Sequence, residues 1–144
     1  MIQAQAQVLL RQMLGESVDF RDGQWQAIDL AANQRRRVLV VQRTGWGKSI
    51  VYFLATKIVR EAGAGPTLLI SPLLSLMRNQ LLATERIGLR AAAIHSENLD
   101  EWQQVEGALL ANQVDLLMIS PERLGNAEFM QKLLPLRGHR LAQH

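Results

Sequence analysis

The residues of this sequence best suited to chemistry form a glycine-rich segment that ends in lysine and serine, at positions 42–49. Glycines allow backbone N–H groups to approach an anion closely, and the N-terminus of a following helix adds positive potential. The lysine supplies a full charge for the outer phosphates of a nucleotide, and the serine hydroxyl can ligate Mg²⁺. The residues predicted to bind the nucleotide are Thr44, Gly45, Trp46, Gly47, Lys48 and Ser49.

Within this loop, Lys48 is the predicted catalytic residue and Ser49 the predicted metal ligand. The common pattern of such loops is G-x-x-x-x-G-K-[ST]. Gln42 stands at its first position, so only the G-x-G-K-S core is present. The alternative interpretation is a glycine-rich turn with an incidental lysine and serine. We favour the phosphate loop, because a buried strand is predicted before it and a helix after it, as the motif requires.

The elements that must position this loop alternate between strands and helices. Short apolar runs bounded by turn residues predict strands, and apolar residues at helical spacing predict helices. Gly15 is the predicted end of the first helix and Asp19 the predicted cap of the second. The order is typical of a single domain with a parallel sheet between helices. Predicted strands are 38–41, 67–70, 90–94 and 115–119, and predicted helices are 2–14, 20–33, 48–61, 74–86, 98–112 and 126–134.

The composition excludes several classes of protein. The sequence contains no cysteine, which rules out disulfides, thiolate catalysis and cysteine-based zinc sites. No apolar stretch approaches the roughly 18–20 residues of a membrane span, and the N-terminus does not read as a signal peptide. A cytoplasmic protein is the expectation. A net charge of +3 permits a polyanionic partner without requiring one.

The segment before the loop, Phe20–Ile28, resembles the F-R-x-G-Q element of RecQ-family DNA helicases in superfamily 2. The resemblance implies that Gln24 reads the adenine ring, whose N6 and N7 edge matches an amide donor and acceptor. It also implies that Arg21 lies beside the adenine. ATP with Mg²⁺ is therefore the expected cofactor.

Two later segments resemble further motifs of the same family. Residues 67–80 are similar to a strand followed by S-P-L-x-S-L-M-x-D-Q, and residues 115–124 to a strand followed by [AS]-P-E-R-L. In that family both segments contact the DNA backbone, and hydroxyls and helix-start amides can bind phosphate without reading sequence. The expected partner is single-stranded or forked DNA, bound without sequence specificity. The residues implied are Ser71, Pro72, Ser75, Arg78, Ser120, Glu122 and Arg123.

The resemblance implies an α/β fold, a three-layer RecA-like P-loop domain with a parallel sheet, truncated before its acidic, DEAH-type strand. Residues 1–144 are then an incomplete ATP-binding lobe, and the second motor lobe is absent. ATP hydrolysis also needs acidic residues at a strand end, and the acidic pair Asp100-Glu101 opens a predicted helix instead. The expected function is that of a RecQ-type ATP-dependent DNA helicase. The alternative is a truncated, non-catalytic fragment that binds at most nucleotide or single-stranded nucleic acid.

A third interpretation, another P-loop enzyme such as a small kinase, leaves the two DNA-side segments unexplained. The truncation also predicts a structural consequence for strand 38–41. In RecA-like lobes two later strands lie between the phosphate-loop strand and the strand at 67–70. Without them strand 38–41 lacks neighbours on one side, and unpaired apolar edges favour aggregation. We therefore expect the 144 residues alone to fold poorly or to self-associate.

Single residues outside the motifs are expected to have ordinary roles. The run Arg35–Arg37 is predicted to be a solvated turn rather than a nucleic-acid patch. Trp25 is predicted to be a packing residue, and Trp102, at helical spacing from Val105 and Leu109, to lie in the core. His95 is predicted to be a polar residue at a strand end rather than a catalytic base, because no carboxylate is placed beside it.

Overall fold

The computed structural model describes residues 1–43, 45–71, 74–94, 101–127, 131 and 141–143. For residues 74–78, 80, 124 and 141–143 the description covers the backbone only. The α-helices are α1 Gln3–Leu14, α2 Gln24–Ile28, α3 Lys48–Glu61, α4 Leu74–Glu85 and α5 Trp102–Leu110. The strands are β1 Thr67–Ile70, β2 Ala91–Ile94, β3 Leu116–Ile119 and β4 Leu141–Gln143. A π-helix at Asp29–Asn33 continues α2, and a 3₁₀ helix covers Pro121–Gly125.

The four strands form one parallel sheet in the order β2-β3-β1-β4. The parallel arrangement confirms the prediction from the alternation of strands and helices. In β1 and β3, Ile70 lies opposite Ile119, so both strands end at the same edge of the sheet. β4 was not predicted, and it pairs with β1 through Leu68–Ile70.

Helices cover both faces of the sheet, which confirms the three-layer architecture. On one face Leu69, Leu116 and Met118 pack in a cluster with residues of α1, α2 and α3. On the other face Leu117 and Ile119 pack in a second cluster with residues of α5. Because neighbouring residues of a strand point to opposite faces, the continuous apolar run of β3 is buried on both sides.

The helix that follows the predicted phosphate loop, α3, has the predicted bounds Lys48–Glu61. As expected, α1 ends at Gly15. The predicted helix 20–33 begins later, because Gly23 rather than Asp19 is its cap residue. The carboxylate of Asp19 instead accepts hydrogen bonds from Gln7 (2.8 Å) and Arg11 (2.9 Å) of α1. Most of the predicted helix 126–134 lies outside the described residues, as do His95 and residues 98–100 of the predicted helix 98–112.

The prediction of a strand at Val38–Val41 is wrong. The segment is irregular, and Leu39 is 88% and Val41 80% exposed. A strand is stable only where neighbouring backbone groups complete its hydrogen bonds. β1 already has a neighbour on each side, β3 and β4, so it offers no free edge. Among the described strands none pairs with this apolar segment, so Leu39 and Val41 remain exposed, while Val40 packs against the cluster of α1, α2 and α3.

A buried carboxylate joins three elements at the amino edge of the sheet. Asp115, just before β3, forms ion pairs with Arg60 of α3 (2.7 Å) and with Arg90, just before β2 (3.1 Å). It also accepts the backbone N–H of Arg90 at 2.8 Å. Burial alone would raise the pKa of Asp115. The hydrogen bonds from Arg90 and Arg60 outweigh it and lower the pKa from 3.8 to about 2.

Within the described part of the chain, no helix combines the length and the hydropathy needed to cross a lipid bilayer.

Replacing Asp115 with asparagine is expected to lower the free energy of unfolding at neutral pH by about 2–4 kcal/mol, because the buried Arg60 loses its counter-charge. The folded-state pKa of Asp115 is depressed, so its contribution is present above pH 3.8 and is lost as the pH falls toward about 2. The difference between the two proteins in urea denaturation should therefore shrink over that range. The matched control is Asp19→Asn, which breaks an exposed ion pair and should change stability little. Equal effects of both substitutions would contradict the structural role of Asp115.

Replacing Leu39 and Val41 with lysine is expected to reduce self-association of the 144-residue chain, because charges on an exposed extended segment oppose edge-to-edge pairing. Sedimentation velocity over a concentration series measures this change. The control is Leu110→Lys, at an apolar position that is 72% exposed on α5. If the control reduces association equally, or the unsubstituted chain stays monomeric throughout, the exposed segment is not an association site.

Candidate nucleotide site and nucleic-acid face

The predicted phosphate loop is a glycine-based turn that leads into the first turn of α3. Gly45 and Gly47 have φ values of +88° and +98°, a region that side-chain-bearing residues rarely adopt. The N–H of Trp46 donates to the carbonyl of Arg43 at 3.2 Å and closes the turn. The first turn of a helix leaves backbone N–H groups without intrahelical acceptors. The loop thus ends in a helix N-terminus suited to an anion.

Gln24, the residue expected to read adenine, is turned onto the loop itself. Its Nε2 donates to the carbonyl oxygen of Trp46 at 2.9 Å and, at a longer 3.4 Å, to that of Gly47. Its Oε1 accepts the backbone N–H of Arg21 at 2.7 Å. The side chain is almost fully buried, with 4% of the residue exposed. In this conformation the side-chain nitrogen and oxygen of Gln24, which are predicted to contact a base, are hydrogen-bonded to the loop and to Arg21.

Arg21 makes a second connection between the same two segments. Its guanidinium donates to the carbonyl oxygen of Gly45. The structure brings Arg21 and Gln24 together with Gly45, Trp46 and Gly47 through contacts between protein groups. Three carbonyl oxygens of the loop, those of Gly45, Trp46 and Gly47, accept hydrogen bonds from side chains of residues 21–24.

Lys48 and Ser49 lie in the first turn of α3, and both are half-buried. Thr44 lies outside the described residues. Lys48 lines a groove of about 570 Å³ beside α3, which we call the α3 groove. The run Arg35–Arg37 also lines it, and no acidic residue of the described ranges does so. The three arginines are exposed, as predicted for a solvated turn. The α3 groove combines apolar walls with four cationic side chains, which suits a polyanion with an apolar part.

The described residues offer little for a metal ion by themselves. No group of three or more histidine, aspartate or glutamate side chains comes together anywhere in the described ranges. Mg²⁺ is usually held by one or two carboxylates together with substrate phosphates and water. The hydroxyl of Ser49 fits one position in such a shell, so a metal here would depend on phosphate oxygens for its other ligands.

The residues expected to contact DNA follow the carboxyl ends of β1 and β3. Ser71 and Ser120 come directly after these strands and are 3% and 1% exposed. The hydroxyl of Ser120 has no hydrogen-bond partner among the described residues. Ser75 and Arg78 lie on α4, where only the backbone is described, and Pro72 lies outside the described residues. The structure thus brings the two serines to one edge of the sheet, with their hydroxyls directed away from solvent.

Glu122 and Arg123 lie on the 3₁₀ helix that follows β3. Glu122 is exposed and Arg123 half-buried. The guanidinium carbon of Arg123 lies 6.0 Å from the centre of the Trp102 ring, within range of a cation–π contact. The indole N–H of Trp102 donates to Glu106 at 3.0 Å. Trp102, predicted to be a core residue, therefore packs at the border of the second cluster and supports the arginine.

Comparisons with known proteins agree with this arrangement. Residues 21–138 match the profile of the DEAD/DEAH box helicase family. The chain is 38% identical over 130 residues to the ATP-dependent DNA helicase RecQ of Bacillus subtilis. It is 42% identical over 106 residues to the RecQ of Synechocystis, and 36% identical over 118 residues to the ATP-dependent DNA helicase hus2/rqh1 of Schizosaccharomyces pombe.

These matches cover most of this chain and a small part of each relative. They include 89%, 73% and 80% of the chain, in the order given. The same alignments include 21%, 21% and 9% of the relatives. The chain therefore corresponds to one segment of these longer proteins.

Replacing Gly47 with alanine is expected to destabilise the protein more than the same change at Gly63. Both glycines have positive φ, so each substitution costs roughly 1 kcal/mol in backbone strain. A Cβ on Gly47 would lie 2.5 Å from Nε2 of Gln24, whereas one on Gly63 meets nothing within 4 Å. Displacing the buried amide adds about 1–3 kcal/mol. Urea denaturation measures the difference, and equal losses at the two sites would show that Gln24 does not hold the loop.

Proposed function

Since the chain belongs to the DEAD/DEAH box helicase family, we propose that it is the nucleotide-binding segment of an ATP-dependent DNA helicase of the RecQ type. The observation that carries this proposal is the joint geometry of residues 21–24 and 45–49. Residues 21–24, which we propose recognise the base and call the base-recognition segment, are in direct contact with the predicted phosphate loop at the N-terminus of α3. The RecQ relatives, which the chain matches over much of its length, are ATP-dependent DNA helicases, and this supports the same assignment.

In the proposed complex the triphosphate lies against the first turn of α3. The backbone N–H groups of that turn and the charge of Lys48 neutralise the phosphates. The hydroxyl of Ser49 supplies one ligand to Mg²⁺, and phosphate oxygens supply others. The four cationic side chains of the α3 groove give the site a positive potential that favours a polyanion.

Adenine recognition requires the amide of Gln24 to exchange partners. An amide oxygen has two lone pairs and an amide nitrogen two hydrogens, and Gln24 uses part of this capacity on Arg21, Trp46 and Gly47. We propose that nucleotide binding reorients the side chains of Gln24 and Arg21 so that they face the base. The 4% exposure of Gln24 in the present conformation is the reason that movement is needed.

The proposed DNA contact surface is the carboxyl edge of β1 and β3 with the adjoining helices. Arg123, held against Trp102, is the best-placed cation for a phosphodiester among the residues predicted for this role. Ser71, Pro72, Ser75, Arg78, Ser120 and Glu122 remain predictions. In this proposal Ser71 and Ser120 contribute through their position at the strand ends, and their buried hydroxyls contact DNA only after a local rearrangement of the protein.

A second candidate function is nucleotide binding without turnover by these 144 residues alone. The residue directly after β1 is Ser71 and the residue directly after β3 is Ser120, and β4 ends in Gln143. These strands therefore do not lead directly into a carboxylate. Hydrolysis requires a carboxylate to hold Mg²⁺ and a group to orient water. The exposed segment Val38–Val41, which leads into the loop without strand partners, favours the same candidate.

Replacing Lys48 with alanine is expected to weaken binding of Mg²⁺-ADP at least about tenfold, because one charge-assisted contact with phosphate is lost. Calorimetric titration of the 144-residue chain measures the affinity. The matched control is Lys57→Ala on the same helix, where the lysine lines a pocket with Arg60 and Asp115. That variant should bind ADP like the unsubstituted chain.

Two outcomes would contradict these proposals separately. If the unsubstituted chain shows no binding of adenine nucleotides at millimolar concentration, the proposed nucleotide site is wrong. If the 144-residue chain hydrolyses ATP well above the background of its Lys48→Ala variant, the non-catalytic candidate is wrong and the helicase-type ATPase resides in this segment.

A further inference from the structure

Trp46 stands between the two glycines of the phosphate loop, where a small or polar residue would suffice to form the turn. Its side chain nevertheless leaves the loop surface and enters the core. The residue is 7% exposed and belongs to the main hydrophobic cluster, which also includes Leu10 of α1 and Ile28 of α2. An aromatic side chain of this size contributes a large apolar area on burial. The loop is thus anchored to the core at its centre.

The same residue is connected to the base-recognition segment at three points. Its indole N–H donates to the carbonyl of Asp22 at 3.3 Å. Its indole ring lies beside Gly23, since a Cβ built there would be 3.6 Å from Cζ2 of Trp46. Its own carbonyl accepts the amide of Gln24 at 2.9 Å. Three consecutive residues, 22–24, therefore take their position relative to the loop from one side chain and its backbone.

The flanking glycines make this anchor necessary. Glycine has the greatest backbone freedom of any residue, so Gly45 and Gly47 do not restrain the loop, and Val38–Val41 gives no support from a sheet. We propose that Trp46 is a positioning residue that sets the separation between the base-recognition segment and the phosphate loop, and thereby makes selectivity for adenine depend on the loop.

This inference rests on the proposed function, because it concerns recognition of a base and a phosphate chain by one ligand. A nucleotide gains from both contacts only if the two segments are held at the distance that separates its base from its phosphates. If Trp46 no longer couples them, phosphate binding persists while base contacts are lost. ADP and GDP should then bind with more similar affinities.

The test compares Trp46→Leu and Trp46→Phe with the unsubstituted chain. Calorimetric titrations use Mg²⁺-ADP, Mg²⁺-GDP and inorganic tripolyphosphate with Mg²⁺. Trp46→Leu should reduce the ratio of ADP to GDP affinity about fivefold, corresponding to the loss of roughly one hydrogen bond to the base. Its affinity for tripolyphosphate should change less. Trp46→Phe, which keeps an aromatic ring and loses the bond to Asp22, should lie between.

A core substitution distinguishes positioning from plain stability. Phe53, on α3, is 1% exposed and belongs to the same cluster as Trp46. Phe53→Leu should lower the thermal midpoint, as Trp46→Leu does, and leave the ratio of ADP to GDP affinity unchanged. If the two variants change the ratio equally, or neither changes it while the unsubstituted chain prefers ADP, the inference is overturned and the nucleotide site stands.

Hydrogen exchange gives a readout that needs no nucleotide. The backbone N–H of Arg21 donates to Oε1 of Gln24 at 2.7 Å, and the backbone N–H of Gln24 donates to the carbonyl of Arg21 at 3.0 Å. Both should exchange faster in Trp46→Leu than in Phe53→Leu, after correction for global stability. Unchanged exchange at these amides overturns the coupling. Faster exchange in a chain that binds no nucleotide supports the coupling and rejects the proposed function.

Discussion

The hydrogen bond from the Gln24 amide to the carbonyl of Trp46 joins the two parts of the candidate site. The loop is built on glycines with positive φ and cannot fix its own position, while a buried carbonyl needs a donor. Gln24 supplies that donor and is itself buried by the contact. Since the same amide is the group proposed to contact an adenine edge, restraint of the loop and recognition of a base would draw on the same hydrogen-bonding capacity. In the proposed function, entry of a nucleotide is therefore linked to reorientation of the Gln24 side chain.

The sheet contributes less to the position of the loop than the usual architecture of such domains suggests. β1 is paired on both sides by β3 and β4, so the apolar segment Val38–Val41 has no free edge of β1 to join. The loop is then held from its other side, by the first turn of α3 and by residues 21–24. α3 is itself fixed to the sheet through the ion pair of Arg60 with Asp115 and through its packing against Leu69 and Met118. Order in the candidate site thus comes from a helix and a side-chain network.

The parts of the fold that the sequence predicts well are those with strong local signals. β1 and β3 are apolar runs that end at Ser-Pro, and α3 begins after Gly47, so their bounds agree closely with the prediction. Val38–Val41 has an equally strong local pattern and fails, because a strand depends on partners that local sequence does not describe. β4, with the sequence Leu-Ala-Gln, has a weak pattern and forms beside the open edge of β1. The grouping of Arg21 and Gln24 with the loop was predictable only through resemblance, and the anchoring of Trp46 had no signal beyond its unusual place between two glycines.

The distribution of charge separates the capacity to bind an anion from the capacity to cleave one. At the amino edge of the sheet, Asp115 forms ion pairs with both Arg60 and Arg90, so these cations serve stability. In the α3 groove, Arg35–Arg37 and Lys48 face no acidic residue from the part of the chain that the structure describes, and their potential is available to a phosphate chain. A positive groove at a helix N-terminus is sufficient for binding, whereas hydrolysis also needs a carboxylate that positions the metal and water. In the proposed function, nucleotide binding and turnover are consequently carried by different residues, and residues 21–43 and 45–49 include those that carry the binding.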